Sequence, residues 1–148
     1  MKPLKSIVFF SILLMAACNN AKHSHSGKND SSSSDFEQLN GEWQLTYVSG
    51  PRIAFEGLYP DDKPQIRFNT ADTSVSGNTS CNVFSGKFKA EQQKISFSED
   101  MALTKKYCPG DGETVFLNIL HRVNNYSVKG NTLTLLLDGV EMMRFEKK

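Results

Sequence analysis

From residue 42 onwards, apolar and polar positions alternate in short runs that are separated by turn-forming residues. The first run, EWQLTYV, places Trp43, Leu45 and Tyr47 on one face with polar neighbours between them, which predicts a half-buried strand. Further runs predict strands at residues 65–69, 73–77, 83–90, 94–98, 126–130, 131–139 and 140–148. Residues 52–63 are predicted to form a loop, and residues 102–106 a short strand or a bend.

One segment, residues 112–123, has the period of a helix instead. Its apolar residues would form one stripe on a helix surface: Val115, Phe116, Ile119, Leu120 and Val123. The last three strands are joined by Gly130-Asn131 and Asp138-Gly139, which are strong hairpin signals because such turns need positive φ. We therefore predict a mainly β fold of the α+β type. It is a small, partly open antiparallel β-barrel of roughly six to eight strands, with one inserted amphipathic helix that plugs one side or end.

The N-terminus has the composition of an export signal. Two lysines in MKPLK are followed by residues 6–17, which carry no charge, and small residues precede Cys18. This apolar stretch is too short to span a bilayer comfortably, since a spanning helix needs about 20 apolar residues. Residues 1–17 are therefore predicted to be a signal peptide.

The residues around the predicted cleavage site, LMAACNN, resemble the bacterial lipobox, with Met15 where leucine is usual. The resemblance implies that Cys18 is acylated and anchors the mature chain to the membrane, at about 0.8 kcal/mol per buried CH₂ group. Asn19 follows the cysteine in place of Asp, so the inner-membrane retention signal of enteric bacteria is absent. We therefore expect a lipid-anchored protein of the bacterial cell envelope, on the outer membrane and facing the periplasm.

The segment after the cysteine is polar and rich in serine. It is predicted to be a disordered tether, so that residues 18–38 link the lipid to the domain. The tether contains His23 and His25, which are predicted to be solvated rather than bound to a metal. Residues 39–148 are long enough for one domain with a single core.

The charge of the mature chain is nearly balanced. The whole chain has 17 basic and 16 acidic residues, and the loss of Lys2 and Lys5 with the signal peptide changes its formal net charge from +1 to −1. No basic stripe is present to neutralise phosphates, so a nucleic-acid partner is not expected.

Cys81 and Cys108 are the cysteines of the predicted domain, and the sequence is compatible with three states of these residues. An even number in an exported protein favours a disulfide, which would close a loop of about 28 residues and stabilise the fold by about 3.5 kcal/mol. Cys81 would instead be a nucleophile if a base lay beside it, and His121 is the one histidine of the domain. The third state is a pair of unbridged, buried thiols.

Other chemistry has little support in the sequence. A metal site is not expected, because Asp111 and Glu113 in CPGDGE are fewer oxygen ligands than a calcium loop supplies. The Gly-x-Ser-x-Gly elbow of hydrolases does not occur, and no cofactor is expected. Trp43 and the phenylalanines are expected to fill the core, although they would also suit a cavity for a small apolar ligand. Asn82 is expected to satisfy backbone groups at a bend.

Four motifs follow one another along the domain. They are Gly-x-Trp-x-Leu at residues 41–45, the stretch from Gly77 to Gly86 around Cys-Asn-x-Phe, Thr-x-x-x-Cys at residues 104–108, and Glu-x-x-Phe at residues 113–116. In this order they resemble the META domain, the family of the heat-shock lipoprotein HslJ. In the second motif Ser80 stands where the family usually has Gly, and Ser adopts positive φ only at a cost. The resemblance covers nearly all of residues 39–148.

The resemblance implies a small β-rich domain of bacterial envelope proteins, associated with heat shock, novobiocin resistance and, in parasites, virulence. Within its motifs, Trp43, Gly77, Asn82, Phe84 and Gly86 are predicted to have structural roles, with the two glycines letting strands turn. The family brings no settled catalytic activity. We therefore expect a non-enzymatic, membrane-anchored lipoprotein with an envelope protein as partner and a role in structure, interaction or envelope stress. The alternative is a carrier or sensor of a small apolar ligand in the barrel.

Overall fold

The structure is a computed structural model that describes residues 30–50 and 52–148. Within these residues the chain forms three helices: α1 (Asp30–Leu39), α2 (Phe55–Leu58) and α3 (Gly112–Leu120). It also forms nine strands: β1 (Gly41–Val48), β2 (Gln65–Asn69), β3 (Ser74–Asn78), β4 (Val83–Glu91), β5 (Lys94–Phe97), β6 (Ala102–Leu103), β7 (Asn125–Lys129), β8 (Thr132–Leu137) and β9 (Val140–Lys147). Strands β1 to β5 begin and end within one residue of the runs that alternation predicts.

All strands pair antiparallel in one sheet that closes on itself. The order is β3-β2-β1-β9-β8-β7-β5-β4, and the ring closes because β3 also pairs with β4. The pairing of β5 with β7 is the shortest of the ring, with Lys94 opposite Asn125. Strand β6 pairs with β4 beyond the stretch that β5 occupies, with Leu103 opposite Phe84. The prediction of a mainly β fold built on an antiparallel barrel is confirmed.

Side-chain alternation places the apolar faces inside the barrel, with one exception in β1. Trp43 and Leu45 are fully buried, as the pattern predicts. The register of β1 against β9 then shifts between Leu45 and Tyr47, so the alternation is interrupted there. Tyr47 is consequently 38% exposed, and Val48 is buried instead. The prediction that Tyr47 shares the inner face is wrong, because a bulge leaves no mark in the alternation.

The interior of the barrel is occupied by side chains. The largest fully buried ones are aromatic or aliphatic: Trp43, Tyr126, Phe68, Phe84, Phe88, Phe116, Phe145, Leu39, Leu45, Ile66, Leu120 and Leu133. Several rings contact each other at an angle, as with Phe68 and Phe88, whose centroids are 5.0 Å apart. Trp43 and most of the phenylalanines therefore build a packed core.

Helix α3 begins at Gly112, as predicted, and ends at Leu120, three residues before the predicted end. Its apolar face packs into the core, with the ring of Phe116 5.8 Å from that of Phe84. The short helix α2 lies where the sequence predicts a loop. Tyr59 follows it and is buried, and its hydroxyl donates to the carbonyl oxygen of Gly112 at 3.0 Å. Among the described residues, no helix is long and apolar enough to cross a bilayer.

Helix α1 changes the boundary of the folded domain. The sequence predicts a disordered tether up to residue 38, whereas residues 30–39 are helical. The difference arises because Phe36 and Leu39 pack against the core, which supplies the burial that a serine-rich composition lacks. Residues 1–29 lie outside the described residues, and with them the predicted signal peptide, Cys18 and the two tether histidines.

Candidate functional site

The segment that joins β3 to β4 is a tight turn. The amide of Thr79 donates to the carbonyl oxygen of Asn82 at 2.8 Å, and the amide of Ser80 donates to the side-chain oxygen of Asn78 at 3.0 Å. Ser80 has a φ of +80°, in the left-handed region that glycine adopts most readily. The turn therefore requires a glycine-like conformation of a serine, which destabilises it locally.

Cys81 in this turn is bonded to Cys108 by a disulfide, and the two Cα atoms are 6.1 Å apart. The bond joins the turn to the exposed loop that precedes α3, across 27 positions of sequence. A bonded sulfur is not a thiolate, so Cys81 is not available as a nucleophile in this state. His121, the histidine considered as its base, is exposed and directly follows the last residue of α3.

Asn82 is 1% exposed, and its side chain holds the loop before α3 against the turn. Its amide oxygen accepts from the Thr104 hydroxyl and from the Lys106 amide, both at 2.8 Å. Its amide nitrogen donates to the Lys106 carbonyl oxygen at 3.0 Å and lies 3.2 Å from Glu113 Oε1 and 3.3 Å from Cys108 Sγ. The two protons of this nitrogen therefore face three acceptors, and no donor capacity is left for a ligand.

Thr79 and Glu113 extend these contacts to the first turn of α3. Thr79 is fully buried. Its hydroxyl accepts from the backbone N–H of Asn82 at 3.0 Å and donates to Glu113 Oε2 at 2.5 Å. Both carboxylate oxygens of Glu113 thus have a protein donor, and the carboxylate lies at the positive end of the helix dipole. The side chains of Thr79, Asn82, Thr104 and Glu113, with the Cys81–Cys108 bond, are called the turn network below.

Gly77 and Gly86 lie inside β3 and β4 rather than at a bend, which corrects the prediction that they let the strands turn. A Cβ atom on Gly77 would lie 2.0 Å from the carbonyl oxygen of Gln65 in β2, so only glycine allows this close approach of the two strands. A Cβ on Gly86 would lie 2.6 Å from Cγ of Met101, a flexible side chain that can move. Phe84 stands opposite Gly77 in the ladder and is buried.

Trp43 lies apart from the turn network, at the junction of α1 and β1. Its indole N–H donates to the carbonyl oxygen of Leu39 at 2.7 Å, and the ammonium of Lys147 lies 4.9 Å from its ring centroid. The structure thus brings the second, third and fourth motifs together, whereas Trp43 of the first motif fastens α1.

Thr79 lies in the turn network and Tyr59 bonds to Gly112, the first residue of α3, and neither was identified from the sequence. Thr79 stands three residues before Asn82, which is a spacing typical of a hydroxyl that caps a turn, and that spacing is the signal that could have found it. Tyr59 lies within the loop predicted for residues 52–63, where nothing indicates burial. Burial raises the pKa of Tyr59 to about 12.

The turn network holds three segments together: the β3–β4 turn, the loop before α3 and the first turn of α3. Within residues 30–50 and 52–148, no three His, Cys, Asp or Glu side chains come close enough to hold a metal ion. A depression of about 600 Å³ lies at the surface along β4 and β5, where Lys87, Lys89 and Glu99 contribute to its lining. It is open to solvent and separate from the residues of the turn network.

Comparisons with known proteins agree with this architecture. Residues 36–148 match the family model described as the META domain. No curated protein matches the chain.

Solved structures share the fold at low sequence identity. An NMR structure of a protein from Burkholderia xenovorans is 20% identical with a TM-score of 0.60, and the match covers 76% of this chain and 86% of that one. A second NMR structure is 21% identical with a TM-score of 0.56, covering 76% and 93%. The crystal structure of a DUF4847 family protein from Bacteroides vulgatus is 15% identical with a TM-score of 0.54, covering 74% and 94%. At these identities the likeness shows the fold alone.

Proposed function

Since the chain belongs to the META domain family, we propose that it is a non-enzymatic, membrane-anchored lipoprotein of the bacterial cell envelope. In this proposal residues 1–17 direct export, and the lipid on Cys18 holds the barrel at the periplasmic face of the outer membrane. The barrel then serves a structural or interaction role with another envelope protein and supports tolerance of heat or of drugs.

The proposal that the protein is not an enzyme is supported by the turn network, whose polar groups bond within the protein. Its carboxylate, amide and hydroxyl groups bond to each other and to backbone groups, and its cysteines bond to each other. An active site needs a nucleophile or base whose reactive atom faces a substrate position. Here those atoms are used to join the β3–β4 turn, the loop after β6 and the start of α3, which favours a structural role for the motif.

The lipid anchor rests on LMAACNN, and the folded domain begins close behind it. Eleven residues separate Cys18 from Asp30, the first residue of α1. An extended segment of this length reaches at most roughly 40 Å, so a lipid on Cys18 would keep the barrel close to the bilayer.

The carrier alternative has less support, because large side chains occupy the barrel interior. A carrier that holds a small molecule inside the barrel needs an internal cavity of a few hundred cubic ångströms, whereas the depression of about 600 Å³ lies at the surface along β4 and β5. With α1 in place, the positions at the centre of the barrel are taken by residues such as Trp43, Phe68 and Phe88.

Metabolic labelling tests the anchor. Cells that express the wild-type chain or Cys18→Ser are grown with an alkyne-labelled palmitate and separated into inner-membrane, outer-membrane and soluble fractions. We expect label in the wild-type protein in the outer-membrane fraction and none in Cys18→Ser, which keeps residues 1–17 because its cleavage site is lost. An unlabelled wild-type protein, or equal labelling of both, would contradict the anchor.

Complementation tests the role in the envelope. A strain that lacks the gene is challenged with heat and with novobiocin, and it then receives the wild-type chain or Cys18→Ser. We expect the deletion to reduce survival and the wild-type chain, but not Cys18→Ser, to restore it. Unchanged survival of the deletion strain under both challenges would refute the stress-tolerance role and leave the anchor to be judged by the labelling.

A further inference from the structure

Among the described side chains of helix α1, Phe36 and Leu39 pack against the core of the barrel. The helix packs against β4 and β7, and the ring of Phe36 lies 6.2 Å from that of Phe88. Leu39 is fully buried at its C-terminal end, where its carbonyl oxygen accepts from Trp43, and the carbonyl oxygen of Gln38 accepts from Lys147 Nζ at 3.4 Å. A serine-rich helix of ten residues is marginal in isolation, so these contacts supply most of its stability.

Among the residues that the structure describes, the one buried side-chain group without a hydrogen-bond partner lies next to α1. Tyr126 on β7 is 1% exposed, and its hydroxyl makes no hydrogen bond within the described residues. Burial raises the pKa of this hydroxyl, and the nearby charge of Asp35 on α1 raises it further. A phenol in this position lacks the partner that a buried tyrosine normally has, whereas phenylalanine would fill the same space without an unsatisfied donor.

The chemistry of this region favours a neutral ligand. The described core residues nearest to α1 are aromatic: Phe88 contacts Phe36, Phe68 contacts Phe88, and Trp43 donates from its indole N–H to the carbonyl oxygen of Leu39. A charged group placed among them would lose its hydration without gaining a counter-ion. An uncharged oxygen acceptor would instead accept the hydrogen bond that Tyr126 can donate.

We propose that α1 is a displaceable plug, and that the barrel mouth it fills binds a neutral apolar molecule whose carbonyl oxygen accepts a hydrogen bond from the Tyr126 hydroxyl. The ligand takes the space of Phe36 and Leu39 when α1 leaves, and Tyr126 gains its missing partner. This site does not depend on the lipid anchor, because it lies wholly within the described domain.

Fluorescence titration with prodan, a neutral naphthalene ketone whose emission reports its surroundings, tests the site on the mature chain with Cys18→Ser. Phe36→Ala is compared with Phe55→Ala, the same change in another half-buried phenylalanine, which lies on α2 and contacts Tyr59. We expect Phe36→Ala to lower the apparent dissociation constant for prodan by at least about tenfold. That constant scales inversely with the fraction of molecules in which α1 has left the barrel mouth. Phe55→Ala should leave it unchanged. If the two variants bind prodan with equal dissociation constants, α1 does not act as a plug.

The role of the hydroxyl is tested with Tyr126→Phe and with N-phenyl-1-naphthylamine, a neutral probe that lacks a carbonyl group. We expect Tyr126→Phe to weaken prodan binding about fivefold, as the loss of one hydrogen bond predicts, and to leave binding of the amine probe unchanged. We also expect the Tm to rise by about 4 °C, because an unsatisfied buried donor is removed. Unaltered prodan binding by Tyr126→Phe would overturn the assignment of the hydroxyl.

Hydrogen exchange on the chain with native Phe36 covers the case in which Phe36→Ala does not fold. Saturating prodan should accelerate exchange of the α1 amides by at least about tenfold, because the ligand and α1 compete for one space. The amides of α3 serve as the internal control and should keep their rates. Unchanged or slower exchange in α1 would contradict displacement.

Discussion

Asn82 connects more of the molecule than any other residue of the turn network. Its side chain reaches backbone and side-chain atoms that are 22 to 31 positions away in sequence. The sequence predicts a backbone-satisfying role, because small polar residues around a cysteine are typical of a bend. It does not identify the partners, since Thr104, Lys106 and Glu113 come close only after the sheet has folded.

Substitution of Asn82 by alanine should destabilise the domain strongly. The change leaves the Lys106 amide and carbonyl groups and the Thr104 hydroxyl without their buried partner, so we expect the free energy of unfolding to fall by about 3 kcal/mol. Urea denaturation followed by tryptophan fluorescence measures this loss. Asn125→Ala is the matched control, because Asn125 makes one long contact of 3.3 Å to the carbonyl oxygen of Gln93. If both variants lose the same stability, Asn82 does not have the role assigned to it.

Ser80→Gly should stabilise the domain. Ser80 is held at a φ of +80°, where glycine has no steric penalty, so we expect a gain of about 0.5 to 1 kcal/mol in the free energy of unfolding. Ser76→Gly makes the same chemical change inside β3 and should cost a similar amount, because glycine weakens a strand. A loss of stability in Ser80→Gly would mean that the turn does not have this conformation in solution.

At the scale of secondary-structure elements, the strands were predictable and two helices were not. Strand β2 has the same bounds as its alternating run, because each of its side chains faces either the core or solvent. Helices α1 and α2 have no such pattern of their own. Phe36 and Leu39 stabilise α1 only through contact with the barrel, and the sequence of a serine-rich segment carries no sign of that contact.

The disulfide ties the β3–β4 turn to the loop before α3, and its removal should test that tie. We expect Cys81→Ser/Cys108→Ser to lower the free energy of unfolding by about 3.5 kcal/mol, the loop entropy of this separation. Urea denaturation of the double variant and of the oxidised and reduced wild-type protein gives the comparison. Reduced wild-type protein should have the same free energy of unfolding as the double variant. If oxidised protein and variant agree within about 0.5 kcal/mol, the bond is absent or contributes nothing.

Tyr59 joins α2 to the start of α3, and its ionisation should weaken that joint at high pH. Its pKa is about 12 in the fold, against an ordinary value of 10.0, so the protonated form is favoured by folding. The contribution of Tyr59 to the free energy of unfolding is complete below pH 10 and is lost as the pH rises from 10 to 12. A shift of this size corresponds to a loss on the order of 2 kcal/mol.

Comparison with Tyr59→Phe isolates this effect from other groups that titrate in the same range. Urea denaturation of both proteins at pH 9 and near pH 12 gives the difference between their free energies of unfolding. We expect that difference to change by about 2 kcal/mol in favour of phenylalanine as the pH rises, since phenylalanine does not ionise. A constant difference would show that Tyr59 is not buried as described.

At the scale of the whole molecule, the fold class follows from local pattern and the closure does not. Period-two runs and the Asp138-Gly139 turn predict antiparallel hairpins, which explains why a β-barrel could be predicted. The pairings of β3 with β4 and of β5 with β7 complete the ring, and the second of these rests on the single opposition of Lys94 and Asn125. The pairing of β3 with β4 joins consecutive strands over five residue pairs. The single opposition that joins β5 to β7 spans a long separation and leaves no trace in composition or periodicity.

The whole molecule also sets the limits of functional prediction. Sequence motifs predict which residues of the candidate site matter, because the stretch from Gly77 to Gly86 and the later Cys108 stand out from their surroundings. Their use within the fold becomes evident only from the hydrogen bonds of Asn82 and Thr79. The lipid anchor depends on LMAACNN, so a direct measurement of the modification on Cys18 tests it.

The intact mass of the protein extracted from membranes, with sequencing of its N-terminal peptide, is that measurement. We predict a chain that begins at Cys18 and carries on this residue the added mass of a diacylglyceryl group, with or without a further acyl chain on its amine. Cys81 and Cys108 should appear together as one bonded pair. An unmodified chain that begins at Met1, or a chain cut elsewhere than before Cys18, would contradict the account.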